Sequence, residues 1–485
     1  MRRRWHALSV ALVAAFTTLL DVSIVNIALP AIRADLDLSP GEIQWVLSGY
    51  ALTFGLLLVP AGRIGDARGR RGVFVVGVAA FTVASAAAGL ATGPLWLVVA
   101  RLVQGAAAGI VNPQVSGLIQ QLFRPEERGR PFGLLGATIG VSAAVGPLLG
   151  GLLIAVFGAE DGWRWVFYIN VPIGVAAIVL GYRWMPASRT RESAVRGSAP
   201  AGHRRESLDP VGVLLLGTGV LLLLLPLVQE REWPGTDKWL LVPAAAVVLA
   251  GFVAWERRFA WRGTALVDLN LLAVRSYGLG ALIGLLYFAG FTTLFFVYTL
   301  YLQSGLGYSA LAAGVSVTPF AAGSAVAAAV SGRFVGRLGR SLVAAGLVAV
   351  TVGFVATYVA VTLVPGHRAG WATAVPLLVA GLGSGLVVSP NQTLTLSEVP
   401  VRRAGSAGAV LQTGQRVGTA TGIAAVGAVF FNRLTANGGD YAAAFRAALL
   451  VTTAFVVVAL AAALWDVRGG RRQVPEHVAA HRAPA

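Results

Sequence analysis

The sequence predicts an all-α, multi-spanning membrane protein: two six-helix bundles with two further helices inserted between them. Three observations predict it. Of the 485 residues, 56% are hydrophobic and 12% charged, and the mean hydropathy is +0.74. The apolar residues fall into fourteen runs close to the ~20 residues that a helix needs to cross a bilayer. A short Gly/Arg motif also recurs after the second and the tenth run.

The runs place spans at 8–29, 42–62, 72–92, 95–120, 131–157, 164–184, 210–229, 238–255, 276–300, 309–331, 341–363, 370–397, 405–430 and 441–465. An even number puts both termini on one face. That face carries Arg2–Arg4, the basic loops at 63–71, 124–130, 183–205, 257–275, 333–340 and 402–403, and the basic tail. The opposite face has only Arg33, Arg164, Arg231, Lys238, Arg368 and Arg433. This is the positive-inside asymmetry, and it predicts cytoplasmic termini. It also excludes a nucleic-acid partner despite the net charge of +17, because the charges are spread over separate short loops. Lys238 is the only lysine, and this arginine skew points to a bacterial gene and hence to a bacterial cytoplasmic membrane.

The opening Met1-Arg2-Arg3-Arg4 and apolar run imitate a secretory signal, but Asp21 interrupts the run and no small-residue cleavage site follows. The run reads as a retained first helix. Residues 185–209 have almost no apolar side chains and cannot bury enough surface to fold alone, so a flexible cytoplasmic linker is expected there. The expected organisation is a bundle at 1–184, the linker at 185–209, two inserted helices at 210–275, a bundle at 276–465 and a cytoplasmic tail at 466–485.

The repeat supports this division. Gly62-Arg63-Ile64-Gly65-Asp66-Ala67-Arg68-Gly69-Arg70 aligns without gaps to Gly332-Arg333-Phe334-Val335-Gly336-Arg337-Leu338-Gly339-Arg340. Gly105, Gly109 and Pro113-Gln114 in span four likewise resemble Gly381, Gly385 and Pro390-Asn391-Gln392 in span twelve. Parallel repeats with a substrate site at their interface are a recurring transporter design.

Within the first run stands Asp21, a carboxylate that costs ~2.5–3.5 kcal/mol at the centre of a membrane helix unless it meets a partner or a cavity. Helical spacing puts Thr17, Asp21, Ile24, Val25 and Ala28 on one face, which directs the carboxylate into the bundle. Two readings stand: a proton carrier or cation counter-charge, and a structural hydrogen-bonding group. Arg101 is the matching cation. With Gln104, Ala108 and Asn112 it forms a polar stripe about 80° wide on span four, expected to line a cavity. Arg416 forms a comparable stripe with Gln412, Gln415 and Thr419 in span thirteen, as the second half's only deeply placed charge. No buried acid is expected in spans nine to fourteen, so proton handling is assigned to the first half.

Several stretches resemble the fourteen-spanner drug:proton antiporters of the major facilitator superfamily. Leu20-Asp21-Val22-Ser23-Ile24-Val25-Asn26-Ile27-Ala28-Leu29-Pro30 is similar to that family's first-helix signature, and Gly62 to Arg71 to its loop between spans two and three. Arg101, Gln104, Gly105 and Gly109 resemble the span-four signature, and Gly146-Pro147 with Gly150-Gly151 the antiporter signature of span five. Trp163 to Gly174 and Tyr301-Leu302-Gln303 with Gly307-Tyr308-Ser309 resemble the fourteen-span branch. Ala67 and Ser142 depart from the usual Arg and Gly at their positions. The resemblance implies the major facilitator fold and a role for Arg101 in coupling protons to movement. It further implies that Asp66, with Arg68 and Arg70 beside it, latches one half to the other when the transporter faces outward.

For Arg63, Arg70 and Arg71 a purely topological role is the simpler expectation, whereas a loop carboxylate such as Asp66 suits a helix N-terminus. Gly146, Pro147, Gly150 and Gly151 remove a helix hydrogen-bond donor and allow bending and close approach. Gly414, Gly418 and Gly422 offer a similar ridge in span thirteen. Tyr287, Phe291, Phe295 and Tyr298 lie within about 80° on span nine and suit either an aromatic wall for lipophilic cargo or packing. Gln303, Asn391 and Gln392 are candidate polar contacts at a cavity rim.

Enzyme and cofactor readings find no support. The histidines stand singly in tails or loops, cysteine is absent, and there is no phosphate-binding Gly-x4-Gly-Lys loop. No cofactor or metal is expected. The expectation is a secondary transporter, functional as a monomer, exchanging protons for a small amphiphilic drug or antibiotic. The alternatives are export of an endogenous metabolite or self-made antibiotic and, from another class, a non-transporting membrane sensor or scaffold.

Overall fold

The computed structural model describes residues 2–186, 209–228, 233, 235–260 and 270–471. Most of the expected linker and the end of the tail lie outside the described residues. Fourteen long helices follow in order: α1 (Arg2–Leu36), α2 (Pro40–Arg68), α3 (Arg70–Gly89), α4 (Pro94–Leu122), α5 (Gly129–Tyr168), α6 (Asn170–Trp184), α7 (Pro210–Val228) and α8 (Leu241–Ala260). The second half adds α9 (Arg275–Leu300), α10 (Ala310–Ser331), α11 (Arg340–Leu363), α12 (Ala374–Thr395), α13 (Ala404–Ala436) and α14 (Tyr441–Arg471). Among the described residues, 14 helices are long and apolar enough to cross a membrane, in the expected order.

Local chemistry sets several boundaries. Ser39 and Glu42 form a reciprocal cap at the start of α2, and the Ser39 hydroxyl holds the Glu42 carboxyl below its ordinary range. The α2–α3 turn needs a left-handed backbone at Gly69 (φ 98°), and the equivalent Gly339 before α11 also has positive φ (51°). The motif repeat is therefore also a backbone repeat. Gly158 (φ 86°, ψ 167°) breaks α5, so the chain reverses there and its second leg, from Glu160, joins α6 in the sixth span. Pro147, by contrast, is carried inside a continuous helix. A π-turn, Tyr301–Gly305, extends α9 and carries Gln303.

Lipid tails are as apolar as leucine, so packing of these helices relies on close backbone approach through small residues. A Cβ on Gly418 would lie 2.1 Å from the Leu285 carbonyl oxygen, and one on Gly422 2.0 Å from that of Ala289, which fixes α13 against α9. Gly414 has nothing within 4 Å and takes no part in that ridge. Gly146 and Gly150 seat α5 on Ser23 and Ile24 of α1, Pro147 meets Gly314 of α10, and Gly151 faces open space.

The two halves meet along two seams, α2 with α13 and α5 with α10. Of the inserted helices, α7 packs on α8 and lies across the first seam, with Val220 and Leu224 against Leu52, Val417 and Ala420. The face that carries the N-terminus of α1 and the C-terminus of α14 is called the basic end below.

Candidate functional site

Asp21 is fully buried, and its three partner side chains come from two other helices, α4 and α6. Its Oδ2 lies 2.5 Å from an Arg101 guanidinium nitrogen, while its Oδ1 accepts from Gln104 Nε2 (2.8 Å) and Asn170 Nδ2 (3.0 Å). Arg101, 1% exposed, also donates to Gln104 Oε1 (2.7 Å) and, through Nε, to the Val46 carbonyl (3.0 Å). Its guanidinium carbon sits 4.4 Å from the Tyr50 ring centre, and Tyr50 in turn donates to the Thr18 carbonyl. Gln104 reaches Ser85 Oγ at 2.8 Å. A buried ion pair survives desolvation only when its remaining lone pairs and protons are satisfied, and these hydrogen bonds do that.

The cluster lies wholly within α1–α6. Arg101 stands seven residues, about 10 Å, along α4 from the end opposite the basic end, so the pair sits nearer that end than the midplane. The span-four stripe expected to line a cavity is instead packed inside the first bundle: Gln104 joins the ion pair, and Asn112 donates to Thr18 Oγ1 and to the Ala108 carbonyl. Thr17 is 3% exposed and bonds its own helix at the Val13 carbonyl. The spacing identified Asp21, Arg101 and Gln104 but missed Asn170, Ser85, Tyr50 and the Val46 carbonyl. Asn170 was legible as a polar residue opening an apolar run, whereas a backbone carbonyl leaves no trace in a sequence.

The second element is a latch between the halves at the basic end. The Asp66 carboxylate, buried on α2, accepts from the first N–H groups of α13: Gly405 N (3.0 Å), Ser406 N (2.8 Å) and the Ser406 hydroxyl (2.8 Å). Those N–H groups have no partner within their own helix, so an anion there is doubly favoured. Arg70 pairs with Asp66 at 2.7 Å and donates to the Val401 carbonyl at 2.8 Å, which gives it more than a topological place. Arg68 is exposed. Ser116 of α4 receives Gln392 (3.2 Å) and Gln412 (3.3 Å) from the second half. Below these bonds, Gly62 crosses Gly405 and Gly129 crosses Gly332, with backbone so close that a Cβ on Gly62 or Gly129 would lie 2.7 or 2.4 Å from the partner's carbonyl oxygen.

The remaining candidates are divided. Phe295 stands edge-on to Phe291 and Phe320, and the three rings line a 20 Å³ cleft against Gly136 and Gly140 of α5, with room for about one water. Tyr287 stacks on Phe291 from beneath, and Tyr298 turns away to Thr373 (2.5 Å). Asn391 serves Arg340 (2.8 Å) and the Gly280 carbonyl rather than a rim. Gln303 and Gln415 are half-buried, and Gln415 packs near Gly284. Arg416 is half-buried with its guanidinium 4.3 Å from the Phe54 ring centre.

One expectation is corrected. A buried acid does exist in the second half: α14 runs past the expected tail boundary to Arg471, and Asp466, 6% exposed, lies 2.9 Å from Arg340 and 3.5 Å from Arg275. Its place at a helix end, beside basic residues, made it read as tail.

Two helical halves related by an internal repeat, joined at one end and carrying an intramembrane ion pair, define a membrane transporter of the alternating-repeat class. The chain belongs to the Major Facilitator Superfamily, whose model matches residues 11–423. It is 39% identical over 436 residues to a probable actinorhodin transporter of Streptomyces coelicolor, covering 89% of this chain and 73% of that protein. It is 34% identical over 469 residues to a puromycin resistance protein of Streptomyces alboniger, covering 95% and 89%. The solved structure of the proton:xylose symporter XylE shares the fold, with a TM-score of 0.65 at 16% identity over 97% of this chain and 96% of that one. The protein is thus a multi-pass membrane transporter related to antibiotic and drug resistance exporters, and not an enzyme.

Proposed function

We propose that this protein exports amphiphilic drugs or antibiotics across a bacterial cytoplasmic membrane in exchange for protons, as a monomer with both termini in the cytoplasm. The basic end is then the cytoplasmic end. The latch there is closed, so cargo leaves from the opposite side. Cargo enters between the halves when the latch is open, the halves rock, and external protonation of Asp21 resets the cycle. Protonation removes the charge that Arg101, Gln104 and Asn170 hold, so the two helices bearing those groups, α4 and α6, lose a common anchor on α1. The relatives named for actinorhodin transport and puromycin resistance support a drug or antibiotic as cargo.

The observation that carries the coupling is the sealed carboxylate of Asp21, held by three side chains and set toward the outer side. Asp21→Asn keeps the side-chain shape and removes the titration. In proteoliposomes with an imposed proton gradient it should lower dye efflux at least 100-fold, with wild-type yield and elution from a sizing column. Undiminished gradient-driven efflux by this variant would refute proton coupling at Asp21, and absence of cargo-dependent proton flux in the wild type would favour a sensor or scaffold.

A further inference from the structure

Arg416 differs from every other deeply placed arginine whose contacts are described above. Arg101 has Asp21, Arg70 has Asp66 and Arg340 has Asp466, each within 3.0 Å. Arg416 stands twelve residues, about 18 Å, into α13 from the basic end, well inside a hydrocarbon core of ~30 Å. Among the described residues its guanidinium makes no ion pair and no hydrogen bond, and its one contact of note is the face of Phe54. Charges at such depth pair with one another, with backbone carbonyls or with the content of a cavity.

The local acids are committed elsewhere. Both Asp21 oxygens are occupied, and Asp66 is held at Ser406, ten residues or about 15 Å along α13 from Arg416. The accessible charge between the halves is therefore positive. Neighbouring groups are of two kinds. Gln412 and Gln415 flank Arg416 on α13, and Gln415 packs within 3.7 Å of where a Cβ on Gly284 would lie. Seven residues further along α9, about 10 Å, Phe291 begins the ring cluster with Phe295 and Phe320.

Resting on the export reading above, we infer that the cargo is an anionic planar aromatic compound whose carboxylate or phenolate oxygen pairs with Arg416 while its fused rings lie against Phe291 and Phe295. A guanidinium takes a carboxylate through two parallel N–H bonds, which fixes the orientation of a flat molecule as well as its charge. The ring cluster offers edges and faces to a π-system. A cationic compound of the same shape meets an uncompensated like charge, and a neutral one forfeits the paired bonds. Arg416 also touches the ion-pair cluster through rings: it lies over Phe54, Phe54 stacks on Tyr50 with centroids 6.2 Å apart, and Tyr50 lies under Arg101. Neutralising Arg416 with cargo thus changes the field at the group assigned to protons.

The test uses the full-length protein and three fluorescent probes that share the anthracene ring and carry an anionic, a neutral and a cationic group at the same position: anthracene-2-carboxylate, its carboxamide, and 2-(aminomethyl)anthracene. In equilibrium binding to purified protein the carboxylate should bind at least tenfold more tightly than the carboxamide, and the amine least. Arg416→Gln should lose at least tenfold in affinity for the carboxylate and less than twofold for the carboxamide, which also reports that the variant is folded; Arg416→Lys should lie between. Equal losses for both probes, a wild-type preference for the amine, or binding of none of the three would overturn the inference. Gradient-driven uptake of the same probes into inside-out vesicles separates the two claims. Charge-selective binding without gradient-driven uptake would defeat the export reading alone, and uptake blind to charge would defeat the assignment of Arg416 alone.

Discussion

The α2–α13 and α5–α10 seams are built on the same glycine crossing and finished differently. Gly62 crosses Gly405 in one and Gly332 crosses Gly129 in the other, and Gly62 and Gly332 occupy equivalent positions of the repeat. At Asp66 the first seam adds a carboxylate that holds the start of α13; the equivalent residue of the second half is Gly336, which has no side chain to offer. The equivalent arginines, Arg70 and Arg340, each find a counter-charge in their own half, but Asp66 beside Arg70 also reaches across the seam to α13, whereas Asp466 beside Arg340 stays within the second half. One seam is bolted between halves by a carboxylate, and the other is held by close backbone crossing and apolar side-chain packing. The two seams of an internally repeated transporter need not be equivalent, because a single carboxylate distinguishes one from the other.

The largest effect should come from withdrawing the bolt. Hydrogen bonds to charged groups contribute ~1.5–3 kcal/mol each, and Asp66→Ala removes three to α13. The sequence contains no cysteine, so a pair introduced at Ser116 and Gln412, whose side chains now lie 3.3 Å apart across the halves, reports closure without background. Cross-linking should fall at least tenfold in Asp66→Ala; no change would mean that the two seams are equivalent.

A smaller effect of opposite sign is expected from bolting the other seam. Gly336 has nothing within 4 Å of a built Cβ, so Gly336→Asp is sterically free and sets a carboxylate where the repeat has one in the first half. The same cross-link should form faster and transport should slow severalfold. Accelerated transport would show that the α5–α10 seam does not limit opening.

The smallest effect belongs to Asp466→Asn, which weakens an ion pair confined to the second half. A loss of about 1–3 kcal/mol in unfolding free energy, with proton-coupled transport retained, would keep proton handling in the first half. Loss of coupling comparable to that of Asp21→Asn would spread it over both.

The fold was largely legible, because spans and repeat are properties of apolar run length and motif position. The buried pair was half legible: an acid and an arginine inside apolar runs announce themselves, but the partners of Asp21 lie 80 to 149 residues away in sequence, beyond the reach of helical periodicity. The latch acid was legible as a loop carboxylate, whereas the acid that pairs with Arg340 was not, since Asp466 sits where a helix end and a polar tail have the same composition. The aromatic stripe shows the limit of periodicity. Tyr287, Phe291, Phe295 and Tyr298 share a helix face, yet Tyr298 is claimed by Thr373 and only the two phenylalanines reach the cleft.

The placement of α7 has a consequence for anything dissolved in the lipid. Val220 and Leu224 lie over the α2–α13 line, so a molecule diffusing in the leaflet meets a roof there. No described helix outside the two bundles packs on α5 and α10 to the same extent. Sideways entry is thereby one-sided: the fourteen-helix plan leaves the molecule a front door and a covered back.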